Sequence, residues 1–533
     1  MLLKVLEGEN KATITDLNMY SDERALPDLG NNIKCGNSLI GWDILEDRPD
    51  LSQEELERIN PFMWEDEFKE VFAKGGFDAV IGNPPYVNVT ILGSDIKAIL
   101  SKRFSAATRR FDLYVPFTEK SINLLLNGGL LGFIMPSMFM RREYGKDLRK
   151  TILEKSAIER IVDFGTYQVF DGPLNYVNIF IIKKNTSQKA VFTLKIDRKV
   201  SENEVKAALA GGKNDRIKEF LVPGDAFSKS SEWYLYNTDK KNIIDRLFNN
   251  YPPIETVLSY ASEGIHSGKD EVFFIKSSTA EDLNLETPPV YPLVKGKDVH
   301  RYEHIDTKSL KQKVIYPYDL EIGRVYNPDT VEIIAPNVWS YLLSSKDLLK
   351  GRGYFDKSNK KWYELWCPRN PELFTSKRLV VPEITNRGNY TIIEDKIFTN
   401  TKVKSIIPKK DLEEKIEYIL GLLNSKLLVN IYKSIAPPKS GDFFAVKTRL
   451  VGRLPFRRID FSDPQDVARH DKMVSLVETM LDLHKQLHEV GTPHEKTRIQ
   501  NQIDYTDKQI DALVYELYDL TEEEIAIVEE SAK

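Results

Sequence analysis

Phe77-Asp78-Ala79-Val80-Ile81-Gly82 runs directly into Asn83-Pro84-Pro85-Tyr86. The first six residues are a short, mostly apolar run closed by glycine, the mark of a buried strand. The two prolines remove backbone donors and stiffen the chain, so Asn83 and the carbonyl of Pro84 stand as fixed acceptors at the strand's carboxyl end. Downstream, helices are predicted over Leu113 to Asn127 and Phe139 to Lys155, with strands over Leu130 to Met135, Ile158 to Phe164 and Tyr176 to Lys183. Upstream, Asn32 to Ile40 reads as a short strand. This alternation predicts a mostly parallel sheet covered on both faces, a Rossmann-like α/β domain over residues 1–220 with ligands at the carboxyl ends of its strands.

After about residue 200 the pattern changes to short β-type runs with many aromatics, Pro, Gly and Asn, which predicts a mixed α/β domain over residues 221–460. Val314 to Tyr316, Leu379 to Val381 and Tyr390 to Ile393 are its candidate strands, and Leu412 to Lys433 its clearest helix. Residues 461–533 are polar, with Leu476, Met480, Leu483 and Leu487 at helical spacing, and form a helical tail.

The chain has 533 residues, 41% of them hydrophobic and 29% charged, an ordinary globular mixture for which disorder is not the default reading. Two cysteines, Cys35 and Cys367, build neither a disulfide framework nor a four-cysteine zinc site. The longest apolar stretch, Leu124 to Met140, is interrupted by Asn127, Gly128, Gly129 and Pro136, and no leader-like segment opens the chain. These features predict a cytoplasmic protein without a membrane partner. The net charge of -5 hides an uneven distribution. Residues 291–460 hold 31 Lys and Arg against 20 Asp and Glu, and residues 461–533 hold 7 against 17. A basic middle region fits a phosphate-contacting module.

The acceptors of Asn83 and Pro84 suit an exocyclic amine, whose lone pair is delocalised into its ring. Accepting both hydrogens draws that nitrogen toward a tetrahedral, nucleophilic geometry. Tyr86 offers a flat face for stacking a planar base, worth roughly 1–3 kcal/mol. A base within a duplex would first be flipped out, at a cost of a few kcal/mol. The alternative is a rigid Pro-Pro turn without chemistry.

Asn83-Pro84-Pro85-Tyr86 resembles the catalytic motif of amino-methyltransferases. Phe111-Asp112-Leu113-Tyr114 and Gly128-Gly129-Leu130-Leu131-Gly132-Phe133-Ile134-Met135-Pro136 resemble the two segments that follow it in adenine-N6 DNA methyltransferases of the Taq type and in the combined type IIG restriction-modification enzymes. The resemblance implies S-adenosylmethionine as methyl donor, with Asn83, Pro84, Pro85 and Tyr86 catalytic. Val169-Phe170 falls where that family supplies a second aromatic to the flipped adenine, so Phe170 is either a stacking residue or a core phenylalanine. Lys34-Cys35-Gly36-Asn37-Ser38-Leu39 is similar to the family's cofactor-adenine segment, with Asn37 in place of an acid, which implicates Asn37 and Ser38. Asp112 would lie beside the cofactor or cap the following helix. The family's glycine-rich cofactor turn is absent before Asn37, and Leu2 to Asn10 would be the helix after its second strand. On that resemblance the cofactor site is incomplete, and a separate chain or segment would supply the amino-terminal methyltransferase part and any nuclease.

Gly264 to Phe273, Leu293 to Val299, Lys377-Arg378-Leu379 and Leu422-Leu423-Asn424-Ser425-Lys426 resemble the Taq-type target-recognition domain. Lys295, Lys297, Arg301, Arg378 and Arg387 are its candidate DNA contacts, each with a solvated surface as the alternative. His484 and His488 share a helix face but have no third ligand nearby, so no metal site is expected. Pro382-Glu383 with Glu394-Asp395-Lys396 imitates a nuclease pattern by coincidence. The reading is site-specific adenine-N6 methylation of double-stranded DNA in a prokaryotic restriction-modification system. Its rivals are a catalytically incomplete DNA-binding specificity module, or methylation of RNA or of a protein glutamine.

Overall fold

The computed structural model describes residues 31–531 except 171–175, 197–199, 211–216, 230–231, 354, 356 and 440–442. The helix expected over Leu2 to Asn10 lies outside the described residues. The chain forms two compact units, Met1–Leu235 and Tyr236–Lys533. Residues 461–533 therefore belong to the same unit as the region before them.

In the first unit, helix α1 (Gln53–Ile59) opens with a capping box in which Ser52 and Glu55 satisfy each other's main-chain donors. Strand β1 (Phe77–Gly82) follows with the bounds its composition predicts, but it is an edge strand with no buried residue and Ile81 90% exposed, which corrects the expected burial. Next come α2 (Ser94–Arg103), α3 (Tyr114–Leu124), β2 (Leu125–Pro136), α4 (Lys146–Lys155), β3 (Ser156–Asp163), β4 (Val177–Lys184), β5 (Val191–Ile196), α5 (Glu202–Leu209) and β6 (Ile217–Val222).

The six strands form one sheet in the order β1-β2-β4-β3-β5-β6. The pairs β1–β2 and β3–β5 are parallel, while β2–β4, β3–β4 and β5–β6 are antiparallel. Thus β1, β2, β3 and β5 run one way, and β4 and β6 run against them. The sheet is more mixed than expected, because β3 reaches β4 without the crossover helix that a parallel neighbour would need. On one face Leu131, Phe133, Met135, Ile158, Ile161, Phe180 and Ile182 are buried with Tyr114, Val115, Ile122, Leu148 and Ile152 of α3 and α4. On the other, Val162, Leu194 and Ile196 pack with Ala208 and Ile217, joined by the half-buried Ile134 and Ile179. Each of these large side chains contributes about 1.5–3 kcal/mol when fully buried. The carboxyl ends of β1, β2 and β3 consequently open onto one edge of a fixed platform.

Among the described residues, the second unit contains three small sheets. One is built from β8 (Phe274–Lys276), β9 (Val290–Val294), β10 (Gln312–Ile315) and β14 (Phe398–Thr399), in the order β14-β9-β10-β8. The next is built from β7 (Leu258–Glu263), β11 (Arg378–Pro382), β13 (Thr391–Ile393) and β15 (Val403–Pro408), in the order β13-β11-β15-β7. The third is β12 (Ile384–Thr385), β17 (Phe443–Ala445) and β16 (Pro438–Lys439). The helix expected over Leu412 to Lys433 is two helices, α6 (Ile416–Asn424) and α7 (Lys426–Ile435). They break at Ser425, whose backbone is extended and whose hydroxyl accepts from the Leu428 N–H. The tail is helical as expected, with α8 (Pro464–Glu489), α9 (Pro493–Leu517) and α10 (Glu522–Ser531). Helix α8 packs against α6 at Gly421, where a Cβ would lie 2.5 Å from the Met473 sulfur.

Candidate active site

Asn83 leaves the end of β1 exposed, Pro84 is buried, Pro85 exposed and Tyr86 half-buried. Among the described residues the Asn83 amide has no hydrogen-bond partner. Tyr86 is held firmly. Its hydroxyl donates to the Ile134 carbonyl of β2 at 2.9 Å, and its ring meets Tyr114 edge-on with centroids 6.5 Å apart. Burial pushes the Tyr86 phenol up to about 12, so it remains a protonated donor at neutral pH.

The chain beyond Tyr86 is pinned to the start of α3. The Leu113 N–H donates to the Val87 carbonyl at 2.8 Å, and the Val89 N–H to the Phe111 carbonyl at 3.0 Å. Between these bonds the Asn88 amide donates to Asp112 Oδ1 at 2.9 Å. Sequence reasoning missed Asn88, although a lone amide within the apolar run Val87 to Leu92 was a usable signal. The capping alternative for Asp112 is not realised, since α3 has no side-chain cap. On the same edge, the buried Arg149 guanidinium donates to the carbonyls of Phe139 at 2.6 Å and Arg142 at 3.0 Å, fixing the turn after β2.

Phe170 is 42% exposed, while Val169 packs on the sheet's second apolar cluster, so the core alternative for Phe170 does not hold. It follows β3, which lies three strand positions from β1, a separation of about 14 Å. Asn37 is committed elsewhere. Its amide N–H donates to the Ile59 carbonyl at 3.2 Å, and its oxygen accepts from Leu39 N at 3.1 Å and Ile40 N at 3.2 Å. The local main chain thus takes the amide oxygen and one of the two amide hydrogens, leaving a single side-chain N–H for the expected cofactor contact. Ser38 gives its carbonyl to the Trp64 indole at 3.1 Å. Asn32 to Ile40 is not a strand; Asn37 makes a single bridge to Pro61 there.

Residues 5–170 match the family described as Eco57I restriction-modification methylase, and residues 291–456 match the TaqI-like C-terminal specificity domain. The chain joins an Eco57I-type methylase region to a TaqI-like specificity domain. Among curated relatives, it is 26% identical to the Type II restriction enzyme and methyltransferase RM.Eco57I of Escherichia coli, across 100% of this chain and 54% of that protein. It is 24% identical to the Type II methyltransferase M.BstVI of Geobacillus stearothermophilus, across 88% of this chain and 77% of that protein. The chain therefore spans about half the length of the first of these relatives. Its fold is similar to that of the Type IIL restriction-modification enzyme MmeI in complex with DNA, with a TM-score of 0.55 at 13% identity over 90% of this chain and 59% of that one.

Within the specificity domain, Lys297 and Arg387 are exposed. Lys295 is half-buried, its ammonium 5.5 Å from the centre of the Phe274 ring. The other two arginines proposed as DNA contacts are internal, and that expectation is corrected. Arg378 is fully buried and donates to the Ser376 and Ile397 carbonyls; burial without a carboxylate partner pulls its guanidinium down to about 9. The Arg301 side chain is only 13% exposed and donates to Asp507 Oδ2 of α9 at 2.7 Å and to the Asn424 carbonyl at 2.9 Å. Burial, helped by the neighbouring Arg301, pulls His484 down to about 4, and His488 pairs with Glu303 at 2.9 Å. Among the described residues no group of three or more His, Cys, Asp or Glu could hold a metal, and no helix is long and apolar enough to cross a membrane.

Proposed function

We propose that this chain carries the catalytic loop and the target-reading unit of an S-adenosylmethionine-dependent DNA methyltransferase acting on adenine N6 within a restriction-modification system. The observation that carries the reading is the Asn83–Tyr86 loop. An unpartnered amide oxygen and a stiff Pro-Pro segment stand at the end of an edge strand, beside a tyrosine whose hydroxyl is tied to the neighbouring strand.

Asn83 Oδ1 and the Pro84 carbonyl would accept the two N6 hydrogens of a flipped adenine, and the Tyr86 ring would stack on it, with Phe170 as a second stacking surface. The cofactor supplies an electrophilic methyl group. As the new N–C bond forms, the methyl group's bond to the sulfonium sulfur would break with its electron pair left on sulfur, and one N6 proton would leave to solvent. Positioning and fixed dipoles provide the rate, and no strong base is required. Asp112 would hold the cofactor through the carboxylate oxygen that Asn88 does not use. Asn37 would add the one amide N–H that its main-chain bonds leave over, so the described residues fit part of a cofactor site. Lys295, Lys297 and Arg387 would meet duplex DNA, and a further segment or chain would complete the cofactor site.

In a preparation competent for methyl transfer, Asn83→Ala should abolish transfer of a labelled methyl group to duplex DNA while changing DNA affinity less than about twofold. Full activity of the variant refutes the assignment. The three bonds of the Asn37 amide to the local main chain, which leave it one N–H for a cofactor, favour a second reading, a specificity module that reads DNA without catalysis. Calorimetry with S-adenosylmethionine separates the two: binding by this chain favours the enzyme, while specific DNA binding without it favours the module.

A further inference from the structure

Glu383 lies between β11 and β12 with its main chain clamped on both sides. Its N–H donates to the Lys402 carbonyl and its own carbonyl accepts from the Val446 N–H, both at 2.7 Å. The carboxylate faces three ammonium groups, those of Lys402 at 3.0 Å, Lys447 at 3.7 Å and Lys404 at 3.8 Å. Lys404 is buried and shared with Glu263 at 2.9 Å, which also takes Arg369 at 2.8 Å. Four cations thus share two carboxylates. The two lysines nearest solvent, Lys402 and Lys447, have side chains 68% and 47% exposed. The turn that carries Lys295 and Lys297 adjoins this cluster, because a Cβ on Gly296 would lie 3.1 Å from the Lys402 carbonyl and 3.7 Å from Pro382 Cβ.

We propose that this lysine ridge docks the phosphate backbone of duplex DNA, with Glu383 as a resident counter-ion that keeps Lys402 and Lys447 in place until phosphates displace it. The inference rests on the DNA-reading part of the proposed function. Ion pairs this close to solvent are worth about 0–1 kcal/mol, so exchanging a carboxylate for a phosphate costs little. A clamped main chain prevents Glu383 from leaving with the lysines. The ridge therefore keeps its geometry whether or not a polyanion is bound.

The test uses the full chain and a mixed-sequence duplex, with affinity followed by fluorescence anisotropy over a salt series. Neutralising Glu383 releases about one more cation for phosphate. Glu383→Gln should therefore tighten binding about eightfold at about 0.1 M salt and steepen the slope of log affinity against log salt by about 0.9. Glu383→Asp, which keeps the charge, should retain the original slope, and Lys402→Ala and Lys447→Ala should each flatten it by a similar amount. Unchanged slopes in Glu383→Gln and Lys402→Ala overturn the proposal. Should Glu383→Gln fail to fold, the exposed Lys447→Ala variant takes its place, and an unchanged slope there overturns the proposal equally. Failure of the unsubstituted chain to bind duplex at low salt overturns the DNA-reading function itself, whereas binding with unaltered slopes removes only the ridge.

Discussion

The Tyr86 hydroxyl donates to the Ile134 carbonyl at 2.9 Å, so the aromatic ring beside Asn83 is fixed by a bond to the neighbouring strand as well as by packing. Removing the hydroxyl alone leaves the ring in place and costs about 1 kcal/mol of stability. Tyr86→Phe should lower the urea midpoint slightly and keep methyl transfer within a few-fold. Tyr86→Ala removes a stacking surface of about 1–3 kcal/mol, so transfer should fall roughly 5- to 150-fold. Equal activity of the two variants would show that the ring makes no contact with the base.

Asp112 accepts from Asn88 through one oxygen, a bond that a neutral amide can keep. Asp112→Asn should leave the melting temperature nearly unchanged while weakening S-adenosylmethionine binding, read by calorimetry. Asp112→Ala should lower both. A parallel loss of stability and binding in Asp112→Asn would mean that the carboxylate serves only the loop.

Gly145 lies where a Cβ would sit 2.0 Å from the Phe139 carbonyl oxygen, within the turn that Arg149 holds. The backbone must move to admit a methyl group. Gly145→Ala should destabilise the first unit by about 1–3 kcal/mol, measured by chemical denaturation.

Arg301 and Asp507 form an ion pair largely shielded from water. Asp507→Asn strands the guanidinium and should cost about 3 kcal/mol, whereas joint replacement by Met and Leu should recover much of the loss. DNA affinity per folded molecule should stay constant across the series. A change in its salt slope would restore Arg301 as a phosphate contact.

Burial pushes the Asp511 carboxyl up to about 6, against 3.8 in the unfolded chain. The fold thus favours the protonated form. That preference acts in full below pH 3.8 and is lost as pH rises through about 6, leaving a deficit of about 3 kcal/mol at about pH 8. Asp511→Asn, which can still accept from the Lys426 N–H, should raise the melting temperature at about pH 8 and leave it unchanged at about pH 4.

Strand β1 was legible to its ends because an apolar run was bounded by glycines on both sides. The border of α3 and β2 was not. Leu124, Leu125 and Leu126 continue an apolar pattern that suits either element, and only pairing of Leu125 with Phe77 decides where the helix stops. Ser425 announced a break as a potential helix cap but was hidden inside a strongly apolar helical pattern. Charge identity says nothing about depth, which is why Arg301 and Arg378 look no different in sequence from the exposed Lys297 and Arg387. For Arg378 the adjoining Leu379-Val380-Val381 was the available warning, since all five residues of β11 are buried. Asn83 and Tyr86 were legible because proline leaves little conformational choice, whereas the carbonyl of Ile134 carries no sequence mark at all.

The anchors described for the Asn83–Tyr86 loop, at Ile134, Phe111, Asp112 and Leu113, all belong to the first unit, and the supports of Glu383 all belong to the second. A substitution that loosens one of these two sets of supports therefore leaves the bonds of the other in place.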